Sequence, residues 1–410
     1  MNTSFLRAFA RVLLAGGLVA GLAAQAPKAK RKADGRVDLE SEMPPDARKL
    51  ALGDRAPDFR LQGVDGREHT LGEFKAPLLL VIFLSNHCPY SHAAETRLLP
   101  LVKELGPRGL DVVAINPNSP EGVDVTELGY SKYDDSFADM IRYAKDQGFT
   151  FPYLYDGDTQ QVARAYGCLA TPHAFLFDRE RRLRYVGRVD DSRFEDPATV
   201  KAHDLRNAIE ELLAGKTVTT PQTPVVGCST KWNYKRNEIA QAEARWKAEP
   251  VALEKIDAAG VAALVKNDSN RFRLVNVWAT WCAPCVAEFP GFVALSRRFQ
   301  GRDFEFISIS LDDPKQEAQA RKFLEKQHAV PPNRLKRLLA REGRSATNFL
   351  YTAPSTDPLI AALDPEWAGP LPHTVLIAPG GKIVWRHNGA VDIDALRDRL
   401  VDLMGPYYTP

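Results

Sequence analysis

Two cysteines separated by two residues carry the strongest chemical signal in this sequence. Cys282 and Cys285 flank Ala283 and Pro284, directly after residues 278–281, which read Trp-Ala-Thr-Trp. The pattern predicts that a strand ends here and that a helix begins at Cys282, where free backbone N–H groups and the helix dipole stabilise a thiolate. Cys285 then lies in the first helical turn and is less exposed, as a resolving thiol requires. We therefore predict a redox-active dithiol whose disulfide closes with little backbone change.

A zinc site and a permanent disulfide are the two structural alternatives for this motif. Zinc needs further ligands, and the chain has no second C-x-x-C pair and no H-x3-H pair. Trp281 before the first cysteine and Pro284 before the second favour an exchanging disulfide over a permanent one. We predict that the redox-active disulfide works without a metal or an organic cofactor.

The other cysteines are Cys88, Cys168 and Cys228. Cys88 follows an apolar strand-like run and begins a helical pattern, but Ser91 stands where a C-x-x-C motif has its second cysteine, so the partner of Cys88 lies elsewhere. Cys168 precedes Pro172 by four residues, on a loop expected to face Cys88, and Cys228 lies beyond the last helix of this half. Either thiol can resolve an oxidised Cys88. The alternative for Cys168 is a small buried core residue.

The two halves of the chain repeat one order of elements: a buried strand, a cysteine at a helix start, further alternating elements, then a proline before a strand pair. Cys88 and Cys282 are 194 residues apart, and Pro172 and Pro372 are 200 apart. A divergent internal duplication explains this order. Buried central strands that alternate with helices predict an α/β fold in each half.

Residues 250–410 resemble the TlpA/ResA-type thioredoxin domains of exported thiol–disulfide reductases, through the motif C-x-x-C-x-x-E-x-P. The resemblance implies that Cys282 is the attacking thiol and that Pro372 is a cis-proline facing the disulfide, beside a backbone edge open to a partner's extended chain. Asn276 stands where thioredoxin has a buried Asp that accepts a proton. Glu288 either replaces this acceptor or is a surface acid of the helix.

Residues 56–190 resemble the redoxin group, the peroxiredoxin-like AhpC/TSA thioredoxin folds. The resemblance rests on Ala-Pro-Asp-Phe at 56–59, on Ser-Asn-His-Cys-Pro-Tyr-Ser at 85–91 and on Thr-Pro-His at 171–173. The segment that begins at Cys228, Cys-Ser-Thr-Lys-Trp, matches a tail common in one subgroup. A peroxidase interpretation makes Cys88 the thiol that attacks the peroxide O–O bond.

This half also departs from peroxiredoxins. Val81 and Ser85 stand where those proteins have Pro and Thr before the cysteine. Thr171 and Pro172 form a thioredoxin-type cis-proline signature at a place where peroxiredoxins tend to carry an activating Arg. These departures leave a non-catalytic, partner-binding role as an alternative for the first half.

Three histidines are candidates to join Cys88 in a metal site: His87, His92 and His173. Related copper chaperones of this fold carry two cysteines in C-x-x-x-C spacing, which is absent here. We therefore predict no metal. His173 and His373 occupy the same place in the two halves, and we expect both to be half-exposed at a strand start.

These observations predict two thioredoxin-like domains, each with a central mixed sheet flanked by helices. The predicted divisions are a signal peptide at 1–26, a flexible lead-in at 27–50, a redoxin-like domain at 51–219, a linker with Cys228 at 220–250, and a TlpA-like thioredoxin domain at 251–410.

The N-terminus has the pattern of a secretion signal. Arg7 and Arg11 precede an apolar run from Val12 to Ala24, and Ala-Gln-Ala at 24–26 offers a cleavage site. We predict export to the periplasm or another extracytoplasmic space, with an uncleaved membrane anchor as the alternative. Removing the leader takes the formal net charge from +2 to about 0, which does not support binding to nucleic acid.

The sequence thus predicts an exported thiol–disulfide oxidoreductase. Its partners are thiol or disulfide client proteins and a thiol electron donor, which we place at a membrane. The tandem arrangement suggests a relay in which the C-terminal dithiol reduces an oxidised Cys88. The alternatives are a thiol-dependent peroxidase centred on Cys88, with peroxide as the small-molecule substrate, and a first domain that only binds a partner.

Overall fold

The structure is a computed structural model that describes residues 30–31 and 37–408. The predicted signal peptide lies outside the described residues. The end of the predicted lead-in packs on the first domain, because the backbone N–H of Arg48 donates to the carbonyl of Arg164 at 2.8 Å. The first described element is a short antiparallel pair, Lys30–Arg31 with Val37–Asp38.

A seven-stranded mixed sheet forms the centre of the first domain. The strands of this half are β1 Arg60–Gly63, β2 Glu68–Thr70, β3 Leu78–Phe83, β4 Leu110–Asn116, β5 Tyr153–Tyr155, β6 Ala170–Thr171, β7 His173–Phe177, β8 Leu183–Gly187 and β9 Cys228–Ser229. The spatial order in the sheet is β8-β7-β3-β4-β5-β1-β2, and β6 pairs separately with β9. Strands β3, β4 and β5 are parallel, while the other neighbours are antiparallel.

Helices cover both faces of this sheet, as its composition requires. All six residues of β3 are apolar and buried, which is typical of a parallel strand covered on both sides. The helices of this half are α1 Pro89–Leu105, α2 Phe137–Gln147, α3 Gln161–Tyr166, α4 Asp204–Leu213 and α5 Arg236–Lys247.

The second domain repeats the plan with a six-stranded sheet. Its elements are β10 Glu254–Ile256, α6 Ala258–Lys266, β11 Phe272–Trp278, α7 Ala283–Arg298, β12 Phe304–Ser310, α8 Glu317–Lys326, α9 Asn333–Arg341, β13 Asn348–Tyr351, α10 Asp357–Leu363, β14 His373–Ile377, β15 Ile383–Asn388 and α11 Ile393–Met404. The spatial order is β10-β13-β12-β11-β14-β15, with β14 and β15 antiparallel to their neighbours. The α/β fold with two thioredoxin-like domains is confirmed.

Each sheet separates two apolar clusters, so each half has its own core. In the first domain Leu80 and Ile82 belong to one cluster, while Leu79 and Val81 belong to the other. This alternation follows from the two-residue period of a strand, which sends successive side chains to opposite faces.

The sequence of residues 328–370 predicts an irregular region, because it carries Pro331, Pro332, Pro354, Pro358 and Pro365, and this prediction is wrong. This stretch contains α9, β13 and α10. Pro332 directly precedes α9, so the proline begins a helix rather than excluding one. Strand β13 is only four residues long but is buried throughout, because it lies between β10 and β12 in the sheet.

Residues 220–250, predicted as a linker with Cys228, contact both domains, because residues 220–235 pack on the first domain and Glu243 of α5 pairs with Arg297 of the second. Strand β9 pairs antiparallel with β6 and places Cys228 opposite Thr171. Trp232 is buried in a core cluster of the first domain.

Within residues 37–408, none of the helices combines the length and apolar character needed to cross a bilayer.

Candidate functional site

Cys282 and Cys285 form a disulfide at the N-terminus of α7. The S–S distance is 1.98 Å, and the two Cα atoms are 5.3 Å apart. Cys282 precedes the first helical residue, and Cys285 lies in the first turn. Cys282 is 6% exposed and Cys285 is fully buried, while the neighbouring Trp281 is 66% exposed. Cys282 is therefore the more exposed of the two cysteines, on a surface marked by an exposed tryptophan.

The turn before the disulfide is held by a buried carboxylate. Strand β11 ends at Trp278, and the backbone N–H and hydroxyl of Thr280 both donate to Asp312, with the hydroxyl at 2.6 Å. Pro284 occupies the first turn of α7, where the missing backbone N–H has no helical partner to lose. These contacts aim the helix N-terminus at the sulfur atoms.

Glu288 lies on the same face of α7 as Cys285, three residues further along. It is buried, so the surface-acid alternative is wrong. The amide of Asn276 donates to Oε1 at 3.2 Å, and the backbone N–H of Val391 donates to Oε2 at 2.7 Å. Burial raises the pKa of Glu288, although both hydrogen bonds favour the carboxylate. A buried carboxyl with a raised pKa next to a dithiol can exchange protons with it.

The two prolines predicted as a repeated feature occupy matching places. Both peptide bonds, Thr171–Pro172 and Leu371–Pro372, are cis. The strands β7 and β14 begin directly after them, at His173 and His373.

The expectation of half-exposed histidines was wrong, because His173 and His373 are both buried. His373 stacks on Trp367 with a centroid distance of 4.6 Å and contacts Asn388 through Nδ1. Burial lowers the pKa of His173 to about 3. Among the described residues, no group of three or more His, Cys, Asp or Glu side chains is arranged to hold a metal ion.

Cys88 directly precedes α1, as predicted, and its sulfur is inaccessible to solvent. Its thiol donates to the carbonyl of Thr171 at 3.0 Å. Since Cys228 pairs with Thr171 across β6 and β9, and Cys88 donates to the carbonyl of that residue, the structure brings Cys228 to Cys88. Cys228 is partly exposed.

Cys168 is not placed against Cys88. Its sulfur lies 3.4 Å from the carbonyl of Ala170 and 3.4 Å from the hydroxyl of Thr230, in a fully buried site. Burial raises its pKa to about 12. The geometry fits a core thiol and selects Cys228 as the candidate partner of Cys88.

The surroundings of Cys88 shift its pKa strongly. Burial alone would raise it, but the Cys228 side chain, the charge of His87 and the backbone N–H of Ser91 outweigh burial and lower it to about 5. His87 is itself buried, and Asp135, at 2.6 Å from Nδ1, raises the pKa of its imidazole. The Thr171 carbonyl opposes this shift, because it accepts a hydrogen bond only from the protonated thiol.

Two charged residues near Cys88 escaped the sequence analysis. Glu95 lies two helical turns beyond Cys88 and is buried, and the hydroxyl of Tyr143 donates to it at 2.5 Å. Burial raises the pKa of Glu95 to about 8. Lys231 is buried three residues after Cys228 and pairs with Glu127 at 2.7 Å. The available signal for Glu95 was an acid at a core-facing position of a helix, seven residues after the cysteine.

The structure does not bring Cys282 and Cys88 together. Helix α7 has 16 residues, so its ends are ~24 Å apart at 1.5 Å per residue. Cys282 lies at its start, whereas Arg298 at its end donates to the Ser131 carbonyl of the first domain at 2.7 Å. On the same side, the Tyr408 hydroxyl donates to the Tyr90 hydroxyl at 2.7 Å. The second domain thus faces the Cys88 region with the end opposite its own disulfide.

Comparisons with known proteins show a family match in each of the two domains. The model of the AhpC/TSA family matches residues 52–186 and 254–386. Thiol-disulfide oxidoreductase ResA of Geobacillus thermodenitrificans is 28% identical over 141 residues, which cover 33% of this chain and 69% of that protein. The thiol:disulfide interchange protein DsbE homolog of Paracoccus denitrificans is 33% identical over 117 residues, covering 28% of this chain and 50% of that protein. A solved structure of an uncharacterized conserved protein from Geobacillus kaustophilus is 36% identical with a TM-score of 0.40, and covers 45% of this chain and 94% of that one.

Proposed function

Because the chain belongs to the AhpC/TSA family, we propose that it is an exported thiol–disulfide oxidoreductase that acts on client proteins through Cys282 and Cys285. The observation that carries the proposal is a disulfide between these residues at the start of α7, with the more exposed cysteine directly before the first helical residue. The names of the ResA and DsbE relatives support the same chemistry.

In the reduced protein, the helix N-terminus favours the thiolate of Cys282, which attacks a client disulfide and forms a mixed disulfide. Cys285 then attacks the sulfur of Cys282, releases the reduced client and leaves the disulfide seen here. Cys285 must lose a proton in this step, and Glu288 is the buried carboxyl on its helix face. The backbone before Pro372 offers the client's extended chain an edge to pair with. A thiol protein at a membrane returns the electrons.

Export rests on the N-terminal pattern of Arg7, Arg11 and the apolar run that follows. An extracytoplasmic compartment is also where disulfides persist, which suits an enzyme that handles them. Fractionation of cells that produce the tagged full chain tests this proposal, and a cytoplasmic, unprocessed protein would overturn it.

Insulin-disulfide reduction by the full chain tests the role of the dithiol. We expect Cys282→Ser to abolish activity and Cys285→Ser to accumulate a mixed disulfide with the client. Cys168→Ser is the matched control and should leave the rate unchanged. Wild-type rates in Cys282→Ser would overturn the proposal.

The relay to the first domain is a second proposal. Since the two centres are separated in this arrangement, transfer requires either a different arrangement of the domains or a second copy of the chain. Cys285→Ser under mild oxidation should trap Cys282 on Cys228 or Cys88. A trapped monomer would indicate movement of the domains, and a disulfide-linked dimer would indicate exchange between copies. If neither adduct forms, the relay is rejected.

Peroxidase activity is the alternative for the first domain, and the lowered pKa of Cys88 favours it. Rapid-mixing measurements of peroxide consumption by Cys88→Ser and by the Cys282→Ser/Cys285→Ser double variant separate the two centres. A peroxidase centred on Cys88 loses turnover in the first variant and keeps its first turnover in the second.

A further inference from the structure

Strand β9 pairs with the backbone directly before the cis-proline of the first domain. Cys228 pairs with Thr171, the residue directly before Pro172. In the second domain the equivalent residue is Leu371, before Pro372, and no strand of the described chain pairs with it. The same edge is thus filled in one domain and unpaired in the other.

We propose that residues 226–229 are a built-in client of the first domain: Cys228 forms a reversible disulfide with Cys88, and external thiols and disulfides react at Cys228. The proposal does not depend on the activity of the second-domain dithiol. It gives the first domain its own redox pair in place of the missing C-x-x-C motif.

Close packing holds this segment in place. A Cβ atom added to Gly227 would lie 2.2 Å from the carbonyl oxygen of Thr171, so the backbone approach requires glycine here. Beyond the strand, the backbone N–H of Thr230 donates to the Leu169 carbonyl at 3.2 Å, and that of Lys231 donates to Asn118 at 2.8 Å. Cys228 is therefore fixed against Cys88 by its neighbours on both sides.

The two sulfurs differ in access and in acidity. Cys88 is inaccessible and has the lowered pKa, whereas Cys228 is partly exposed and the neighbouring Cys88 side chain raises its pKa. In disulfide exchange, the thiol with the lower pKa leaves more readily, and attack falls on the accessible sulfur. A reducing thiolate therefore attacks Cys228, and Cys88 leaves as the thiolate.

Oxidation by a low-molecular-weight disulfide, R–S–S–R, follows the reverse route. The Cys88 thiolate takes the proton of Cys228, whose sulfur then attacks one sulfur of R–S–S–R, and the proton passes to the first R–S⁻ to give R–SH and restore the Cys88 thiolate. The Cys88 thiolate then attacks the Cys228 sulfur, and the second R–S⁻ takes up the proton that Cys88 lost on ionising. Two protein thiols are oxidised to one disulfide, and R–S–S–R is reduced to two R–SH.

Glutathione disulfide is the probe, applied to the full chain with Cys282→Ser and Cys285→Ser so that the second-domain dithiol cannot contribute. Peptide mass spectrometry should find a Cys88–Cys228 disulfide. Adding Cys88→Ser should leave glutathione bound to Cys228, because the internal nucleophile is gone. With Cys228→Ser added instead, Cys88 should react with glutathione disulfide at least about tenfold more slowly than Cys228 does in the Cys88→Ser variant, since burial limits access to Cys88. Equal rates at the two sulfurs, or a Cys88–Cys168 disulfide, would overturn the proposal.

Two glycine substitutions test the role of strand β9 while both Cys88 and Cys228 are retained. Gly227→Ala forces β9 away from Thr171, and we expect slower closure of the Cys88–Cys228 disulfide and faster alkylation of Cys88. Gly106→Ala is the matched control, since no atom lies within 4 Å of the added Cβ and its φ of −52° suits alanine. Identical closure rates in the two variants would show that β9 does not position Cys228.

Discussion

Glu95 offers a stability test of the buried network beside Cys88. Its carboxyl is buried in the first domain, with the Tyr143 hydroxyl at 2.5 Å from Oε2 and no hydrogen-bond partner for Oε1. Glutamine has nearly the same shape and keeps an oxygen that accepts the Tyr143 bond, but it does not ionise. The substitution Glu95→Gln therefore removes the ability to ionise and changes the shape of the side chain little.

Burial raises the pKa of Glu95 from 4.5 to about 8. At 1.36 kcal/mol per unit, this shift corresponds to an upper limit of ~5 kcal/mol for the free energy lost once the folded protein must ionise the group. Below pH 4.5 the carboxyl is protonated in both the folded and the unfolded protein, and its burial costs no ionisation. As the pH rises from 4.5 through about 8, the unfolded state ionises more readily, and the free energy of unfolding falls. We expect the difference in free energy of unfolding between Glu95→Gln and wild type to grow by about 2–5 kcal/mol, in favour of the variant, from pH 5 to pH 9.

Urea unfolding of both proteins at pH 5, 7 and 9 measures this difference, with the first-domain transition followed through its buried Trp232. Tyr143→Phe is the companion variant, because it removes the hydrogen bond but leaves the ionisable carboxyl. A stability difference between wild type and Glu95→Gln that does not change with pH would refute the assignment of Glu95 as a buried group with a strongly raised pKa.

Three further substitutions probe the two centres. Asp135→Asn removes the carboxylate that keeps His87 protonated, so the pKa of Cys88, followed by thiolate absorbance in the ultraviolet, should rise by at least about one unit; an unchanged midpoint contradicts the role of the His87 charge. Glu288→Gln should slow insulin reduction about 10–100-fold at neutral pH, with the deficit shrinking at higher pH as solvent base replaces the carboxyl; a constant deficit points to a structural role. Trp281→Ala should raise KM for a protein client, while the free energy of unfolding changes by less than about 0.5 kcal/mol because the side chain is mostly exposed; an unchanged KM excludes Trp281 from client binding.

The contact between the two domains leaves their two redox centres with different exposure. The second-domain disulfide lies at the far end of α7 from the domain contact, with Trp281 exposed beside it. In the first domain, Tyr408 of the C-terminal segment contacts Tyr90, two residues after Cys88. The second centre is therefore the more accessible of the two, while the first centre has a cysteine supplied by its own chain.

Local sequence was sufficient to predict the elements around each cysteine. Strand β3 and helix α1 meet at Cys88, and β11 and α7 meet at Cys282, as the change from a continuous apolar run to helical spacing indicated. Such patterns extend over ten to twenty residues, so they do not depend on distant parts of the chain. Within residues 328–370 the local pattern was insufficient for β13, because this four-residue strand is stabilised by its neighbours β10 and β12 in the sheet.

The sequence by itself determined the C-x-x-C dithiol, its position at a helix start and the duplication of the fold, because spacing and periodicity encode these features locally. Only the tertiary structure decided that Cys228 rather than Cys168 meets Cys88 and that Glu288 and Glu95 are buried. Cys228 lies 140 residues after Cys88, and its position depends on backbone pairing between β9 and β6, which the pattern of side chains along the sequence does not reveal. Whether an acid is buried depends on which distant elements pack over its face of the helix. At Glu288 the segment with Val391 does so, and its backbone N–H donates to the carboxylate.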